Sequence, residues 1–207
     1  MKVRSIDGSM RDMSVIICCL AIGLLTCAPA TAGVIQSVTS GAGFITDNFY
    51  LGQSFTTPVG GPWSGITFNF FSDANPAITP YAIGTAYLFN QVFAGTPATL
   101  SSAAPGFIAA DTSIVGNKYV FGPSVILQPG TQYFLYSDAF FLTNSISGAG
   151  GGTALYAAAY PNSSFGQEPV TLNFALGGTA VPEPGGISLV SIGVLAGFCR
   201  FVRRKVS

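Results

Sequence analysis

Histidine is absent from this 207-residue chain, and only 16 side chains carry a formal charge, 8 basic and 8 acidic. About a quarter of a typical chain is charged. Without histidine the commonest general base and a principal zinc ligand are missing. The four cysteines, Cys18, Cys19, Cys27 and Cys199, all fall in two apolar end segments, so the middle has neither thiol nor imidazole. Most familiar catalytic and zinc chemistry is thereby excluded. From Gly33 to Ala180, 148 residues carry one base, Lys118, and five acids, Asp47, Asp73, Asp111, Asp138 and Glu168, a net charge of −4. Such a surface repels phosphate, which excludes a nucleic-acid partner. No internal repeat points to a propeller or solenoid.

The other ten charges sit at the ends and frame two greasy runs. Lys2, Arg4 and Arg11 precede Val15 to Leu25, and Ala30-Thr31-Ala32 follows before Gly33. A basic start, a short apolar run and small residues at −3 and −1 make a secretory signal over residues 1–32, cut after Ala32, with Ala30 and Ala32 as the cleavage pair. Met10 or Met13 as the true start would shorten this leader without changing its meaning. Cys27 follows Leu24-Leu25-Thr26, but threonine suits a lipidation site poorly and the Ala-x-Ala downstream competes with it.

Residues 181–207 contain three pieces in order. Val181-Pro182-Glu183-Pro184 is an extended spacer, because its two prolines deny helical hydrogen bonds. Gly185 to Cys199 supplies 15 uncharged residues, about 22 Å as a helix at about 1.5 Å per residue. That is short of the roughly 30 Å hydrocarbon core, so Phe201, Val202 and a snorkelling Arg200 extend it. Arg203, Arg204 and Lys205 then favour a cytoplasmic C-terminus for the transmembrane helix. This tail resembles the PEP-CTERM sorting signal of exopolysaccharide-producing Gram-negative bacteria. The resemblance implies recognition of Pro182, Glu183 and Pro184 by an exosortase, a transpeptidase-like membrane enzyme that cuts near the motif. It also implies a location in the cell envelope, at the cell surface or in the extracellular matrix. The competing reading is a plain anchor on a proline-rich stalk.

The middle, residues 33–180, holds 24 of the 26 aromatic residues. Ile66, Phe68 and Phe70 share one strand face, as do Val170, Leu172, Phe174 and Leu176, with Thr171 and Asn173 opposite. Further strands are expected over 50–57, 82–93, 118–121, 125–128, 131–137, 140–146 and 153–160. Turn signals separate them at Pro58 to Pro62, Asn75-Pro76, Pro105-Gly106, Gly116-Asn117, Pro129-Gly130 and Gly148 to Gly152. Nearly ten short strands without an amphipathic helix predict an all-β domain, a β-sandwich of jelly-roll kind rather than a barrel. Tyr133 to Tyr136 is apolar on both faces and predicts a deeply placed strand, with Phe107 or Trp63 packed against it. Pro129-Gly130-Thr131-Gln132-Tyr133 resembles a hairpin common in extracellular sandwich domains that carry sorting anchors. Gly148 to Gly152 reads as a flexible loop, since neither helix nor lysine follows to make a phosphate cradle.

The five acids are scattered, each beside turn-like residues or at a strand end, as solvated loop acids are. No catalytic pair is assigned, no cofactor is implied, and the chain is read as a non-enzyme. Ser72-Asp73-Ala74-Asn75 has the oxygen spacing of a calcium loop, with Asp73 the candidate ligand, although an Asx turn explains it more cheaply. Two roles remain open. One is a structural envelope or matrix protein associated with exopolysaccharide or biofilm, its low charge favouring association between copies. The other is a polysaccharide-binding module, for which Trp63, Tyr81, Tyr119, Tyr156 and Tyr160 are the candidate platforms, set against the tendency of aromatics to be core.

Overall fold

The computed structural model describes residues 32–39, 44–46, 49–72, 79–142, 144–147 and 155–181; for 44–46, 79, 144–147 and 155 this covers the backbone alone. These residues lie in one compact unit, Thr31–Pro182. The expected signal helix and transmembrane helix fall outside them. Among the described residues no helix is long and apolar enough to cross a membrane.

The described chain is all-β. In order it forms β1 (Ala32–Val38), β2 (Phe44–Thr46), β3 (Phe49–Thr56), β4 (Trp63–Ser72), β5 (Thr79–Tyr81), β6 (Ala86–Phe89) and β7 (Phe107–Val115). It continues with β8 (Lys118–Phe121), β9 (Gln132–Phe141), β10 (Asn144–Ser147), β11 (Leu155–Ala158), β12 (Gly166–Glu168), β13 (Thr171–Leu172) and β14 (Phe174–Ala180). One short 3-10 turn, Pro97–Thr99, interrupts the long connection from β6 to β7.

Eleven strands make one sheet in the order β1-β14-β4-β8-β7-β6-β9-β3-β11-β12, with β5 added on β4; β13-β10-β2 form a small second sheet. Strand β7 explains why the large sheet curls. Its first half pairs with β6, Tyr87 opposite Ala110, and its second half with β8, Asp111 opposite Phe121. The two halves of the sheet then face each other across a core. Ile66, Phe68, Phe70, Phe174 and Leu176 on one side meet Leu51, Phe55, Leu88, Tyr133 and Leu135 on the other. Rings cross the gap: Phe55 lies 6.0 Å from Phe68, and Phe141 lies 5.3 Å from Phe70. Each such side chain contributes about 1.5–3 kcal/mol on burial, so the period-two pattern is what selects the register.

Strand β9 is buried on both faces, as its sequence predicts. Tyr133 and Leu135 point into the core just described, while Phe134 and Tyr136 join Phe89, Phe93, Leu100, Tyr156 and Phe165 in a second cluster. That cluster lies beneath the connection from β6 to β7, which supplies Phe93, Leu100 and Ala104. Phe107 packs here, 6.0 Å from Phe89, whereas Trp63 packs on the first core.

Four expectations need correction. The strand expected over 82–93 is only Ala86–Phe89, because Gly84 adopts φ 65° and turns the chain before it. Residues 125–128 form a turn with one bridge, Leu127 to Trp63, rather than a strand. The strand expected over 140–146 is divided, its start belonging to β9 and its end to β10. The run through 170–176 breaks at Asn173, where the chain passes from its pairing with β10 to its pairing with β4, and both Thr171 and Asn173 are 1% exposed.

Candidate functional site

The described part of the expected processing region lies where the first and last strands meet. β1 and β14 are antiparallel partners, with Ala32 opposite Thr179. Trp63 lies opposite Ala180 on the other side of β14, and the N–H of Val181 donates to the carbonyl of Pro62 at 2.8 Å. The chain is thus held in the sheet up to the residue before Pro182. Ala30, Pro182, Glu183, Pro184, Arg200, Arg203, Arg204 and Lys205 lie outside the described residues, as do Asp47 and Asp73.

Two turns close the same end of the domain, and Thr57 ties them together. Its hydroxyl donates to the Gln128 carbonyl and accepts from the Thr131 N–H at 3.1 Å. Its backbone N–H donates to the Thr131 carbonyl at 3.0 Å, and its carbonyl accepts from the Gly130 N–H at 3.0 Å. Tyr133 Oη accepts from the Gln128 N–H at 2.8 Å. The Pro-Gly-Thr-x-Tyr segment therefore works as a turn stitched by its own tyrosine, with Gly130 at φ 62° supplying the left-handed step. Beside it Val59 is 89% exposed.

A polar cluster that the sequence did not reveal surrounds residues 83–87. Asp111 Oδ1 accepts from the Ala86 N–H at 2.7 Å, and Asp138 Oδ1 from the Thr85 N–H at 2.7 Å. The reason is topological. Where β7 leaves β6 to join β8, the N–H of Ala86 loses its ladder partner, and the Asp111 carboxylate takes its place. Partial burial raises the Asp111 pKa above the ordinary aspartate value; the Ala86 hydrogen bond opposes this and the nearby charge of Asp138 adds to it. Burial and the Asp138 charge likewise raise Tyr87. Asp111 is therefore a half-buried strand residue and not the solvated loop acid expected. The missed signal was Ile108, Thr112, Ile114 and Val115 between two recognised turns, a β-branched run that marks β7.

Tyr119 completes this cluster from the core side. It is fully buried, its hydroxyl donating to the Ile83 carbonyl at 2.6 Å and accepting from the Ile83 N–H at 3.0 Å. Ser137 Oγ donates to the same carbonyl at 3.2 Å. Desolvation raises the tyrosine pKa strongly. These groups hold a loop in place. Among the described residues no group of three or more Asp, Glu, Cys or His could hold a metal ion.

The candidate sugar platforms separate sharply. Tyr119 and Tyr156 are buried, Trp63 and Tyr81 are half-buried against the core, and Tyr160 is 72% exposed. A groove of about 340 Å³ lies along the β6–β7 connection, walled chiefly by Val92, Phe93, Ala94 and Pro105, with Gln91 and Thr99 as its polar members. No family model, curated protein or solved structure matches this chain.

Proposed function

We propose that this chain is an exported cell-surface or extracellular-matrix protein with a non-catalytic structural role, delivered by a leader over residues 1–32 and sorted by an exosortase acting at Val181-Pro182-Glu183-Pro184. The observation that carries the reading is the order of motif, apolar run and basic end in residues 181–207. The position of the motif supports it. β14 is hydrogen-bonded on both sides and the Val181 N–H donates to the Pro62 carbonyl, so the domain is held in the sheet up to the first residue of the motif.

The domain itself is a jelly-roll-like β-sandwich. Supporting this, β1-β14-β4-β8 make one layer and β7-β6-β9-β3 the other, and the chain passes between them from β3 to β4, from β5 to β6 and from β8 to β9. The non-catalytic reading rests on how the acids are used, since Asp111 and Asp138 approach one another as acceptors for backbone N–H groups. Polysaccharide binding through aromatic platforms is the weaker account, because four of the five candidates pack against the core.

The test is the fate of the tail in a Gram-negative host that carries an exosortase. Mass spectrometry of the mature protein is expected to show a start at Gly33 and loss of residues 187–207. Glu183→Ala should leave export intact and block tail removal. Tail removal at an unchanged rate in that variant, or an intact tail in the wild type, refutes the sorting reading.

A further inference from the structure

The two edges of the large sheet are built differently. β12 ends one side with three residues, the last being Glu168, and Pro169 follows at once. A short strand, a charge and a proline are the usual protections against pairing with another sheet. β1 ends the other side with seven residues, Ala-Gly-Val-Ile-Gln-Ser-Val, containing neither charge nor proline. Among the described residues it pairs with β14 alone. Ile35 and Val38 are turned onto the core, while Val34 (72% exposed) and Ser37 face solvent. Its outer backbone groups form a hydrogen-bonding template.

We infer that β1 is a self-association edge, at which two copies of this chain pair antiparallel about a two-fold axis and join their sheets. The inference rests on the structural role proposed above and names the partner through which it is exercised. A second copy is the fitting occupant for three reasons. Antiparallel pairing of a strand with itself is isologous, so one unprotected edge suffices. The opposite edge is guarded, which excludes head-to-tail fibres through β12. The described residues carry only Lys118, Asp111, Asp138 and Glu168 as charges, so repulsion between copies is weak. Seven residues bury far less than the roughly 1,200 Å² of a stable interface. The contact is accordingly weak and reversible, suited to a protein concentrated on a surface or in a matrix.

The test uses the full chain, expressed in a Gram-negative host and purified from the envelope in detergent. Sedimentation velocity is expected to show a concentration-dependent monomer–dimer equilibrium. Val34→Lys with Ser37→Lys places like charges across the two-fold and should raise the dissociation constant about tenfold or more. Val59→Lys with Gln167→Lys adds the same charge elsewhere and should leave it unchanged. Far-UV circular dichroism confirms that both variants are folded. An independent readout covers the case in which the lysine variant fails to fold. In a chain whose Cys18, Cys19, Cys27 and Cys199 are alanine, Val34→Cys combined with Ser37→Cys should give a disulfide-linked dimer on oxidation and Gln167→Cys none. A monomer at all concentrations, a dimer indifferent to the β1 lysines, or equal loss in both lysine variants overturns the inference. Tail processing, read by mass on the same samples, tests the sorting reading separately.

Discussion

Removing the hydroxyl of Tyr119 isolates one polar contribution within an otherwise unchanged core. Tyr119→Phe keeps the ring that packs 6.5 Å from Phe70 and deletes both hydrogen bonds to Ile83. The Ile83 carbonyl retains Ser137 Oγ, but its N–H loses the partner through which it is satisfied. A stranded backbone donor costs about 1–3 kcal/mol. At about 2–4 °C per kcal/mol for a domain of this size, the midpoint of thermal unfolding should fall by about 2–12 °C. Ser137→Ala should couple to it through the shared carbonyl, with an interaction energy of about 0.5 kcal/mol or more in a double-mutant cycle. The pH dependence gives a second check. Desolvation raises the folded pKa of Tyr119 and of Tyr136, so the folded state holds these protons more tightly than the unfolded chain does. Their contribution is complete below the unfolded value of about 10 and is lost as pH rises above it. Tyr119→Phe should flatten part of that alkaline loss. A melting temperature within about 1 °C of wild type, together with an unaltered alkaline limb, would refute the assignment of Tyr119 as the clasp of this loop.

Two further perturbations follow from the same geometry. Asp111→Asn keeps an oxygen opposite the Ala86 N–H and removes a half-buried charge. The Asp111 pKa is raised on folding, so wild-type stability falls as pH rises from the unfolded aspartate value through the folded one. The variant should lose that acid-range slope and melt slightly higher at neutral pH in calorimetry, and a lower melting temperature there would contradict the desolvation argument. Gly52→Ala sets a Cβ about 2.4 Å from the Tyr136 ring, which is fully buried and hydrogen-bonded to the Phe93 N–H. Overpacking of this kind costs about 1–3 kcal/mol, readable as a lower urea midpoint, and a neutral result would mean that the second cluster is loosely packed.

Strand faces were legible where one side is apolar. Ile66, Phe68 and Phe70 all lie in the core as their spacing requires, and Tyr133 to Tyr136 is buried on both sides. Turns were legible where glycine must adopt positive φ, as at Gly116-Asn117, whose φ values of 57° and 58° close the β7–β8 hairpin in the primed-turn manner. Strand ends were not. Ala82 to Phe93 reads as one apolar run because local pattern cannot register that Tyr119, 36 positions along the chain from Ile83, holds the loop there. The polar cluster was hidden for the same reason. Asp111 and Asp138 are far apart in sequence and meet only because β7 changes partners between two layers.

That β1 is paired with β14 has a consequence for how export and folding are ordered. The first and last strands of the unit are neighbours, so the sheet cannot be completed until residues 174–180 have been delivered. Closing so long a loop costs conformational entropy that grows with the logarithm of its length. The same pairing constrains cleavage. A cut after Ala32 removes a single residue of β1, and its site abuts a strand that is hydrogen-bonded once β14 arrives. Leader removal should therefore precede β14 docking. On the proposed route the domain thus imposes leader removal first and closure of the sheet second.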